Sequence, residues 1–545
     1  MTTSSARKVV AQLNQHDQDH EWYPTTQPML DVIKGDIDED LMDNPSVLDC
    51  GAGDGRVLKA LTNGDKYAIE KSSILIELLD KDIFIVGTEF REQVLFDKKT
   101  DLLFCNPPYS EYLEWVNKII REANCGVIYF IIPTRWKTNT ETHDLIKARK
   151  GKFEILDTQD FIDGDRGARA NVDIVKITLR YTGRHSTSIK KDPFDLWFED
   201  NFKLKLNKES SSKHSVYTST REKVAENVQH ELVTGGDLIS TLEKLYQRDM
   251  DKALNTYKGL MEVDPEIMRE LDIDIKSVKK ALKLKIESLK DVYWKELFNN
   301  LDKVTSRLTA ISREAMLKKL TDNTHVDFTA PNARAIIIWV IKNANSYFDQ
   351  QLVQIIEKVT EKASIAVYKS NQRTIRDEEW RYSKTPEDLK EYGLDYRIVL
   401  KECGGLSGST LYSDNVNGLG SRAANLMNDF CAIALNLGFD TYETQRASSF
   451  KWESNKGHDF EFLNHKTGEK NVLFHAKAFH NGNMHIKFNQ LFIRRLNVQF
   501  GRLKGWVKSP KEAAEKMDIS EEEASEVFAV TMKIESSQIL KLGLM

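Results

Sequence analysis

The stretch Ser46-Val47-Leu48-Asp49-Cys50-Gly51-Ala52-Gly53-Asp54-Gly55 decides the fold of the first third of this chain. A short apolar run ends in an acid and is followed by glycine at every second position. The pattern predicts a buried strand that turns sharply at its carboxyl end, where the missing Cβ lets a ligand approach the backbone. The turn is not GxGxxG and lacks the lysine of a phosphate-binding loop, which points to a ligand without phosphates.

Strand-like and helix-like segments alternate around this turn, from about Trp22 to Tyr181. The expected strands are Ser46–Asp49, Tyr67–Glu70, Ile83–Gly87, Leu102–Cys105, Gly126–Pro133, Phe153–Leu156 and Val172–Tyr181. Such alternation predicts parallel βαβ units in a doubly wound sheet, and the last two segments, which lack a helix between them, predict an antiparallel edge hairpin. The fold class we expect is α/β, with a Rossmann-like seven-stranded sheet.

The regular alternation of strand-like and helix-like segments ends beyond this sheet. We expect a first domain at 1–185, a mainly helical domain at 186–400 and a smaller α+β domain at 401–545, which is a candidate for target recognition. Lys203–Lys213 is predicted to be a linker, and Asp518–Val527 an acidic helix with a solvated face. Leu282, Ile286, Leu289, Tyr293 and Leu297 recur at helical spacing and predict one packed helix face.

Acids follow each of the first three predicted strands. Asp49 and Asp54 belong to the glycine turn, and Glu70 lies about twenty residues on, where an acid accepts ribose hydroxyls. Glu89 is expected to accept from an adenine amino group, with Phe90 packing on the ring. An acidic site suits S-adenosyl-L-methionine, which carries an amine and a sulfonium. The alternative is a structural turn with solvated acids.

Asn106-Pro107-Pro108-Tyr109 ends the fourth predicted strand and is suited to holding a planar amino group. The lone pair of an aromatic amine is delocalised, so acceptors for both N–H hydrogens localise it on nitrogen. Asn106 supplies a side-chain carbonyl and Pro107 a backbone carbonyl on a stiffened loop. Tyr109 offers a face for a stacked base, worth about 1–3 kcal/mol in comparable sites.

The motif order resembles that of class I S-adenosylmethionine-dependent amino-methyltransferases, and most nearly the gamma-type N6-adenine DNA methyltransferases. Tyr23-Pro24-Thr25 resembles the start of their N-terminal motif over the methionine part of the cofactor. The glycine turn with Gly51 and Gly53, then Glu70, Glu89 and the Asn106–Tyr109 motif with Pro108, match the later motifs, although aspartate is commoner at Glu89. The resemblance covers roughly a third of the chain.

The resemblance implies methyl transfer to the N6 amino group of adenine in double-stranded DNA after base flipping. Phe161, or alternatively Trp136, is a candidate second aromatic clamping the flipped base, with ordinary packing as the other interpretation. The distal two thirds resembles extensions on some phage- and mobile-element-encoded adenine methyltransferases.

Other functions remain open. The same four residues occur in methyltransferases acting on protein glutamine and on guanine N2 of ribosomal RNA, so an RNA or protein substrate is an alternative. A cofactor-binding interaction protein that antagonises a host factor is another, although a pure binder has no chemical need for Asn106 and Tyr109. Asp459, Glu461 and Lys477 loosely resemble a D…(E)xK nuclease core, which would predict metal-dependent DNA cleavage.

Nucleic-acid contact must come from local patches, because the net charge is -5. Arg166 and Arg169 lie in a glycine-containing loop expected to contact phosphates. The stretch 471–510 has no Asp or Glu and interleaves aromatics with cations. Its predicted DNA contacts are Lys477, Lys487, Arg494, Arg495, Arg502 and Lys504. The alternative is a half-buried element with a solvated basic face.

The cysteines bear on compartment and metals. All five are scattered without CxxC spacing, which favours buried reduced thiols over a metal site. No apolar run approaches the length of a membrane span, and the N-terminus lacks a signal-peptide core. We therefore expect no membrane association and a cytoplasmic protein of a bacterium or phage-infected host.

Overall fold

The computed structural model describes residues 3–39, 43–162, 164–179, 238–263, 267–268, 274–322, 326–363, 393–406, 415–454, 456–517, 519–530 and 532–534. The chain divides into two compact units. The first contains Met1–Leu297 and Leu320–Trp339, and the second contains Phe298–Lys319 and Val340–Ile539. The predicted linker Lys203–Lys213 lies outside the described residues, and the division into three domains stays a prediction.

A seven-stranded sheet forms the centre of the first unit. Its strands are β1 Val47–Cys50, β2 Lys66–Ile69, β3 Ile83–Gly87, β4 Leu102–Cys105, β5 Val127–Pro133, β6 Lys152–Phe161 and β7 Ala168–Thr178. The order is β3-β2-β1-β4-β5-β7-β6, parallel except for β7, which runs antiparallel to both neighbours. The predicted Rossmann-like sheet and its antiparallel edge hairpin are confirmed.

The sheet order reverses between β1 and β4, and this switch point positions the site. β1, β4 and β5 are buried along their whole length, as expected for parallel strands covered on both faces. Where neighbouring strands lead to opposite sides, a crevice opens outside their carboxyl ends. The glycine turn follows β1 and Asn106 follows β4, so both predicted motifs lie at this crevice.

Helices flank the sheet and continue into the middle of the chain. The helices of the first 180 residues are α1 Thr3–Gln15, α2 Gln27–Glu39, α3 Arg56–Leu61, α4 Ser73–Leu78, α5 Tyr112–Glu122 and α6 Thr140–Ala148. The next are α7 Leu238–Met261, α8 Ile275–Asn299, α9 Asp302–Thr305, α10 Ala310–Asp322 and α11 Ala330–Lys362. The predicted apolar face of α8, from Leu282 to Leu297, is buried. None of the helices in the described ranges is long and apolar enough to cross a membrane.

Part of this helical segment packs beside β3 within the first unit. Phe84 of β3 meets Trp339 of α11 edge to face, with ring centroids 4.6 Å apart. Lys290 of α8 is fully buried and bridges two carboxylates, reaching Asp97 at 2.5 Å and Asp327 at 2.9 Å. The segment therefore shares a core and a buried ion-pair network with the sheet.

The second unit contains a smaller sheet with helices, the α+β region that the sequence predicts. Its elements are β8 Arg397–Leu400, β9 Asn415–Val416, β10 Leu419–Gly420, α12 Ser421–Asn436, β11 Gly457–Asn464, β12 Glu469–Ala478, β13 Met484–Phe488, α13 Gln490–Leu503, α14 Pro510–Met517 and α15 Glu521–Ala529. Four strands form an antiparallel sheet in the order β11-β12-β13-β8. β9 and β10 form a separate pair.

Candidate active site

A cavity of about 290 Å³ lies in the first unit at the carboxyl ends of β1, β2, β3 and β4. Its size is close to the lower end of ligand pockets, about 300 Å³. Six carboxylates line it: Asp19, Glu21, Asp54, Glu70, Glu89 and Glu111. The lysine and arginine side chains of the lining are Arg56, Lys71 and Arg91. An acidic lining of this kind suits a ligand that carries positive charge.

The glycine turn follows β1 in the left-handed backbone region that glycine adopts readily. Gly51, Gly53 and Gly55 have φ values of 92°, 57° and 75°. A Cβ on Gly53 would lie 2.5 Å from the indole Nε1 of Trp22, so no larger residue fits beneath this indole without a shift. The Trp22 indole lies against this part of the turn, and the predicted approach of a ligand to the backbone stays a prediction.

Asp49, at the end of β1, is fully buried and does not belong to the described cavity lining. Neither carboxylate oxygen has a hydrogen-bond partner among the described residues. Burial, then the negative charges of Glu70 and Asp54, raises its pKa well above the usual value. The predicted cofactor contact of Asp49 stays a prediction.

Glu70, directly after β2, lines the cavity and is held by backbone amides. Its two carboxylate oxygens accept from the N–H groups of Gly53 at 2.7 Å and Ser72 at 2.8 Å. Burial raises its pKa to about 7, although the amide hydrogen bonds act in the opposite direction. Each oxygen retains lone-pair capacity for a ligand hydroxyl.

Asp54, in the glycine turn, is already paired. Its carboxylate accepts from the guanidinium of Arg56 at 2.9 Å, and that guanidinium also reaches Asp165 at 2.9 Å. Asp54 therefore fixes the start of α3 as well as lining the cavity.

Glu89 and Phe90 follow β3 and line the same cavity. Glu89 pairs with Lys71 at 2.7 Å. Burial raises the pKa of Glu89, but the hydrogen bonds from Lys71 and the Arg91 amide outweigh it and leave the pKa below its usual value. Phe90 stacks on Trp115 with centroids 3.9 Å apart. Trp115, which also lines the cavity, is an aromatic wall that the sequence analysis did not identify.

Thr88 connects the loop after β3 to the helical segment. Its backbone N–H and its hydroxyl both donate to Oδ1 of Asn332, at 2.8 Å and 2.7 Å. The amide nitrogen of Asn332 in turn donates to the carbonyl of Asp327 at 2.9 Å. Thr88 is buried and lines the cavity, so Asn332 holds the loop that carries Glu89 and Phe90. Local sequence carries no signal of this contact.

Asn106 lies at the end of β4 with its side-chain amide oriented by the N-terminal segment. Its Nδ2 donates to the carbonyl of Tyr23 at 3.1 Å and to the hydroxyl of Thr25 at 3.4 Å. Oδ1 accepts from the hydroxyl of Tyr109 at 3.3 Å and keeps a second lone pair. Asn106 and Pro108 line the cavity, whereas Pro107 and Tyr109 are not among its described lining residues.

Tyr109 belongs to a small aromatic group. Phe161, at the end of β6, meets Tyr109 edge to face at 6.1 Å and Tyr23 at 6.4 Å, and is fully buried. Trp136 instead donates from its indole N–H to Asp173 at 2.9 Å and packs against Phe153. Of the two predicted base-clamping aromatics, Phe161 is therefore the one beside the Asn106–Tyr109 motif.

Arg166 anchors the N-terminal segment at the cavity. Its guanidinium forms a two-pronged pair with Asp19 at 2.8 Å, donates to the carbonyl of Trp22 at 2.9 Å and lies 4.4 Å over the ring of Tyr23. The guanidinium is thus engaged within the chain, and its predicted phosphate contact stays a prediction. The side chain of Arg169 lies outside what the structure describes.

In the second unit, the predicted DNA contacts separate into two groups. On α13, Arg494 pairs with Glu523, and Arg495 pairs with Glu526 at 2.6 Å. Arg502 donates to the carbonyl of Phe528, and Lys504 pairs with Glu357 at 3.0 Å. The structure gives these four cations internal partners. Lys477 and Lys487 lie on the sheet instead.

The acidic helix α15 supplies two of these partners, and its Glu521, Glu522 and Glu526 are exposed, in agreement with the predicted solvated face. Its Ala524 and Val527 are buried in a cluster with Val498 of α13, while Glu523 and Glu526 reach the arginines. Packing of the two helices places opposite charges at the same interface.

The residues of the loose nuclease pattern lie on two neighbouring strands, Asp459 and Glu461 on β11 and Lys477 on β12. Asp459 accepts from Nδ1 of His475 at 2.6 Å, and Lys477 lies opposite Gly457. A bulge in β12 at Leu473 lies opposite the step from Phe460 to Glu461. Within the described ranges, no group of three or more His, Cys, Asp or Glu residues is placed to hold a metal ion.

Comparison with known proteins gives a family match for part of the chain. A model described as a domain of unknown function (DUF4942) matches residues 286–506. A comparison with curated proteins found no match.

Several solved structures are similar to part of the chain. A dimethyladenosine transferase from Plasmodium falciparum is 17% identical over 28% of this chain and 61% of its own, with a TM-score of 0.24. The E. cuniculi Mtq2–Trm112 complex, described as methylating the termination factor eRF1, is 15% identical over 29% and 98%, with a TM-score of 0.23. The 23S rRNA methyltransferase ErmE is 12% identical over 43% and 89%, with a TM-score of 0.24. This chain spans less than two thirds of the length of the first of these proteins. The seven-stranded sheet of the first unit is the Rossmann-like sheet that the sequence predicts.

Proposed function

We propose that this protein transfers a methyl group from S-adenosyl-L-methionine to the N6 amino group of adenine in double-stranded DNA. The observation that carries the proposal is Asn106, whose amide nitrogen is held by Tyr23 and Thr25 so that its carbonyl oxygen is left for a substrate amine. This oriented acceptor lies beside an acidic cavity on a methyltransferase sheet.

The residues of the cavity fit the cofactor. Its acidic lining suits an amine and a sulfonium, and Gly51 and Gly53 of the turn belong to that lining. Glu70 would accept from the ribose hydroxyls, and Glu89 would accept from the adenine amino group. Phe90 and Trp115 would form an aromatic wall for the adenine. When bound, S-adenosylmethionine supplies an electrophilic methyl group.

Asn106 acts on the substrate amine as a hydrogen-bond acceptor. Oδ1 accepts one N–H, which draws the nitrogen lone pair out of conjugation, and the Pro107 carbonyl is proposed to accept the second. The amide oxygen of Asn106 does not take up a proton near neutral pH. Asn106 therefore acts by orienting the amine and by accepting its hydrogen bond. Tyr109 steadies Oδ1 through its hydroxyl.

Tyr109 and Phe161 would hold the flipped base. Their rings meet at 62° and 6.1 Å, with Phe161 fully buried. A base placed between them therefore requires the two rings to separate, which makes this contact part of substrate entry. Unstacking the adenine from the duplex costs a few kcal/mol as well.

The test is nucleoside analysis of DNA from a methylation-deficient bacterial host that expresses the protein. We expect N6-methyladenine with the wild type and none above background with Asn106→Ala. Tyr109→Phe is the matched control, because it removes the hydroxyl but keeps the ring, and we expect it to retain measurable methylation where Tyr109→Ala does not.

Host RNA and protein are analysed in the same cells. Methylated adenine or guanine in RNA, or methylated glutamine in protein, with unmodified DNA would contradict the DNA substrate while keeping the amine chemistry. No Asn106-dependent methylation in any of these fractions would overturn the proposal.

A further inference from the structure

The four-stranded sheet of the second unit has two unlike faces. One face is apolar and covered: Phe430 of α12 meets Phe474 of β12 at 5.7 Å and Phe488 of β13 at 5.0 Å. Phe492 of α13 packs on Phe488 as well, at 5.9 Å. Because side chains alternate along a strand, the residues between these aromatics point to the opposite face.

That opposite face carries basic side chains on β8, β12 and β13, and two register rows extend across all four strands. One row runs from Arg397 through Lys487 and His475 to Asp459. The next row runs from Val399 through His485 and Lys477 to Gly457. Arg397, His485 and Lys487 are exposed, and His475 and Lys477 are partly exposed. We call these five residues the basic sheet face.

The like charges of Arg397 and Lys487 lie directly opposite one another on this face. Lys477 is paired in register with His485. Directly opposite side chains are only about 5 Å apart at Cβ, so such pairs destabilise the free sheet. The pKa of His485 is lowered by burial and by the charge of Lys477. Asp459, the acid of these two rows, accepts from His475 at the edge. A bound polyanion would relieve the repulsion.

Gly457 fixes where two of these side chains lie. A Cβ at this position would come within 2.1 Å of Nε2 of His475 and 3.1 Å of Cε of Lys477. The imidazole and the lysine stem therefore lean over β11, above a backbone that has no side chain. The cationic groups are held close to the sheet, which lowers the entropy lost when a ligand orders them.

We infer that the basic sheet face binds the phosphate backbone of nucleic acid. Duplex DNA carries one charge per about 1.7 Å of axis, dense enough to neutralise both rows. A membrane surface fits less well, because interfacial binding needs several exposed apolar side chains beside the cations, and among the described residues of the four strands Val472 is the exposed large apolar side chain. The α13 cations, paired with Glu523, Glu526 and Glu357, are not part of this surface. This inference is independent of the methyl-transfer proposal.

The experiment measures binding of the full chain to a fluorescent 30-base-pair duplex by anisotropy, without methyl donor, over a series of salt concentrations. We expect Lys477→Glu/Lys487→Glu to weaken binding about tenfold or more and to lower the salt slope by about 2. The matched control is Lys451→Glu/Lys466→Glu, an equal charge change on exposed positions of the same unit, for which we expect less than about a threefold loss.

A second variant separates folding from binding. Lys477→Met/Lys487→Met removes like-charge repulsion, so we expect it to melt no lower than the wild type and still to lose DNA affinity. Equal losses in the basic-face and control variants, or no loss in either, would overturn the inference. So would binding to anionic phosphatidylglycerol vesicles that competes with DNA and is tighter than it. Because no methyl donor is present, failure here leaves the methylation test unaffected.

Discussion

Both units of this protein contain a sheet with charged side chains, but the two sheets present charge in opposite ways. In the first unit, parallel strands bring acids to one edge, where they line a cavity of about 290 Å³. In the second, antiparallel strands spread cations over an exposed face. Strand direction explains the contrast, because only parallel strands direct successive loops to the same edge.

The difference also concerns how each charge is balanced. In the first unit, buried charges have specific partners, as in the contacts of Lys290 with Asp97 and Asp327. On the basic sheet face, Arg397 faces Lys487 in register. We interpret the acid-lined cavity of the first unit as a site for a small cationic ligand and the basic sheet face as a site for an extended anion. The predictions below test that contrast.

The largest effect is expected at Lys290, the buried cation of the first unit. Burial lowers its pKa, but the charges of Asp327 and Asp97 outweigh it, so the pKa lies above its usual value. Lys290→Met leaves both acids without this bridging cation, and we expect the free energy of unfolding to fall by about 3–5 kcal/mol. Urea unfolding measures it. Lys487→Met, on the exposed face, is expected to change stability by less than about 0.5 kcal/mol. Similar changes in the free energy of unfolding for Lys290→Met and Lys487→Met would contradict the proposed difference between the buried and the exposed lysine.

A tenfold change in the affinity for S-adenosylmethionine is expected from the ionisation of Glu70. Its pKa of about 7 in the free protein should fall when ligand hydroxyls donate to the carboxylate, so the ionised form binds better. The affinity for S-adenosylmethionine should then decrease about tenfold from pH 8 to pH 6, in proportion to the ionised fraction.

The control for this titration is Glu70→Gln, which keeps an acceptor and has no charge to lose. The cofactor amine titrates equally with both proteins, so the difference between their calorimetric pH profiles isolates Glu70. His20, which also lines the cavity, has a pKa lowered by burial and by Lys71. Parallel profiles for the two proteins would contradict the assignment.

A smaller, selective effect is expected at Asn332. Asn332→Ala leaves the buried amide and hydroxyl of Thr88 without their acceptor, a cost of about 1–3 kcal/mol that falls on the loop carrying Glu89 and Phe90. We expect KM for S-adenosylmethionine to rise about five- to tenfold, with kcat within about twofold. Asn332→Asp keeps the acceptor for Thr88 but loses the donor to the Asp327 carbonyl, so it should recover part of the affinity. An equal loss in both variants would indicate a general structural role instead.

The smallest effect is expected at the arginines of α13. Because Arg494 and Arg495 pair with Glu523 and Glu526, their removal should leave DNA affinity within about twofold, and exposed pairs add at most about 1 kcal/mol of stability. Anisotropy with Arg494→Ala/Arg495→Ala measures this. A loss as large as that of the basic-face variant would place the nucleic-acid contact on α13 after all.

Local sequence predicted the parts of the site that one turn or one strand end determines. The glycine turn after β1 and the Asn106 motif after β4 lie where the alternation of strands and helices predicts, because each motif carries its own backbone requirement. The contact of Thr88 with Asn332 joins residues 244 apart, and that of Asp97 with Lys290 joins residues 193 apart. Such contacts depend on tertiary packing and leave no local pattern.

The basic stretch shows a different limit of sequence reasoning. Residues 471–510 contain no acid, so the α13 cations looked available for DNA. Their partners Glu523 and Glu526 lie just beyond that stretch, in the acidic helix that was expected to be solvated. Considering the two oppositely charged segments together would have predicted the pairing. Arg397, from another strand of the sheet, was not predicted either.

The most direct test is single-turnover transfer of a labelled methyl group to unmethylated plasmid DNA at saturating DNA and cofactor. The account predicts that Asn106→Ala slows transfer by about 10²-fold or more while binding DNA and S-adenosylmethionine as the wild type does. Lys477→Glu/Lys487→Glu should instead require more DNA to saturate but transfer at the wild-type rate. Methylation of adenine N6 by Asn106→Ala at the wild-type rate would contradict the account.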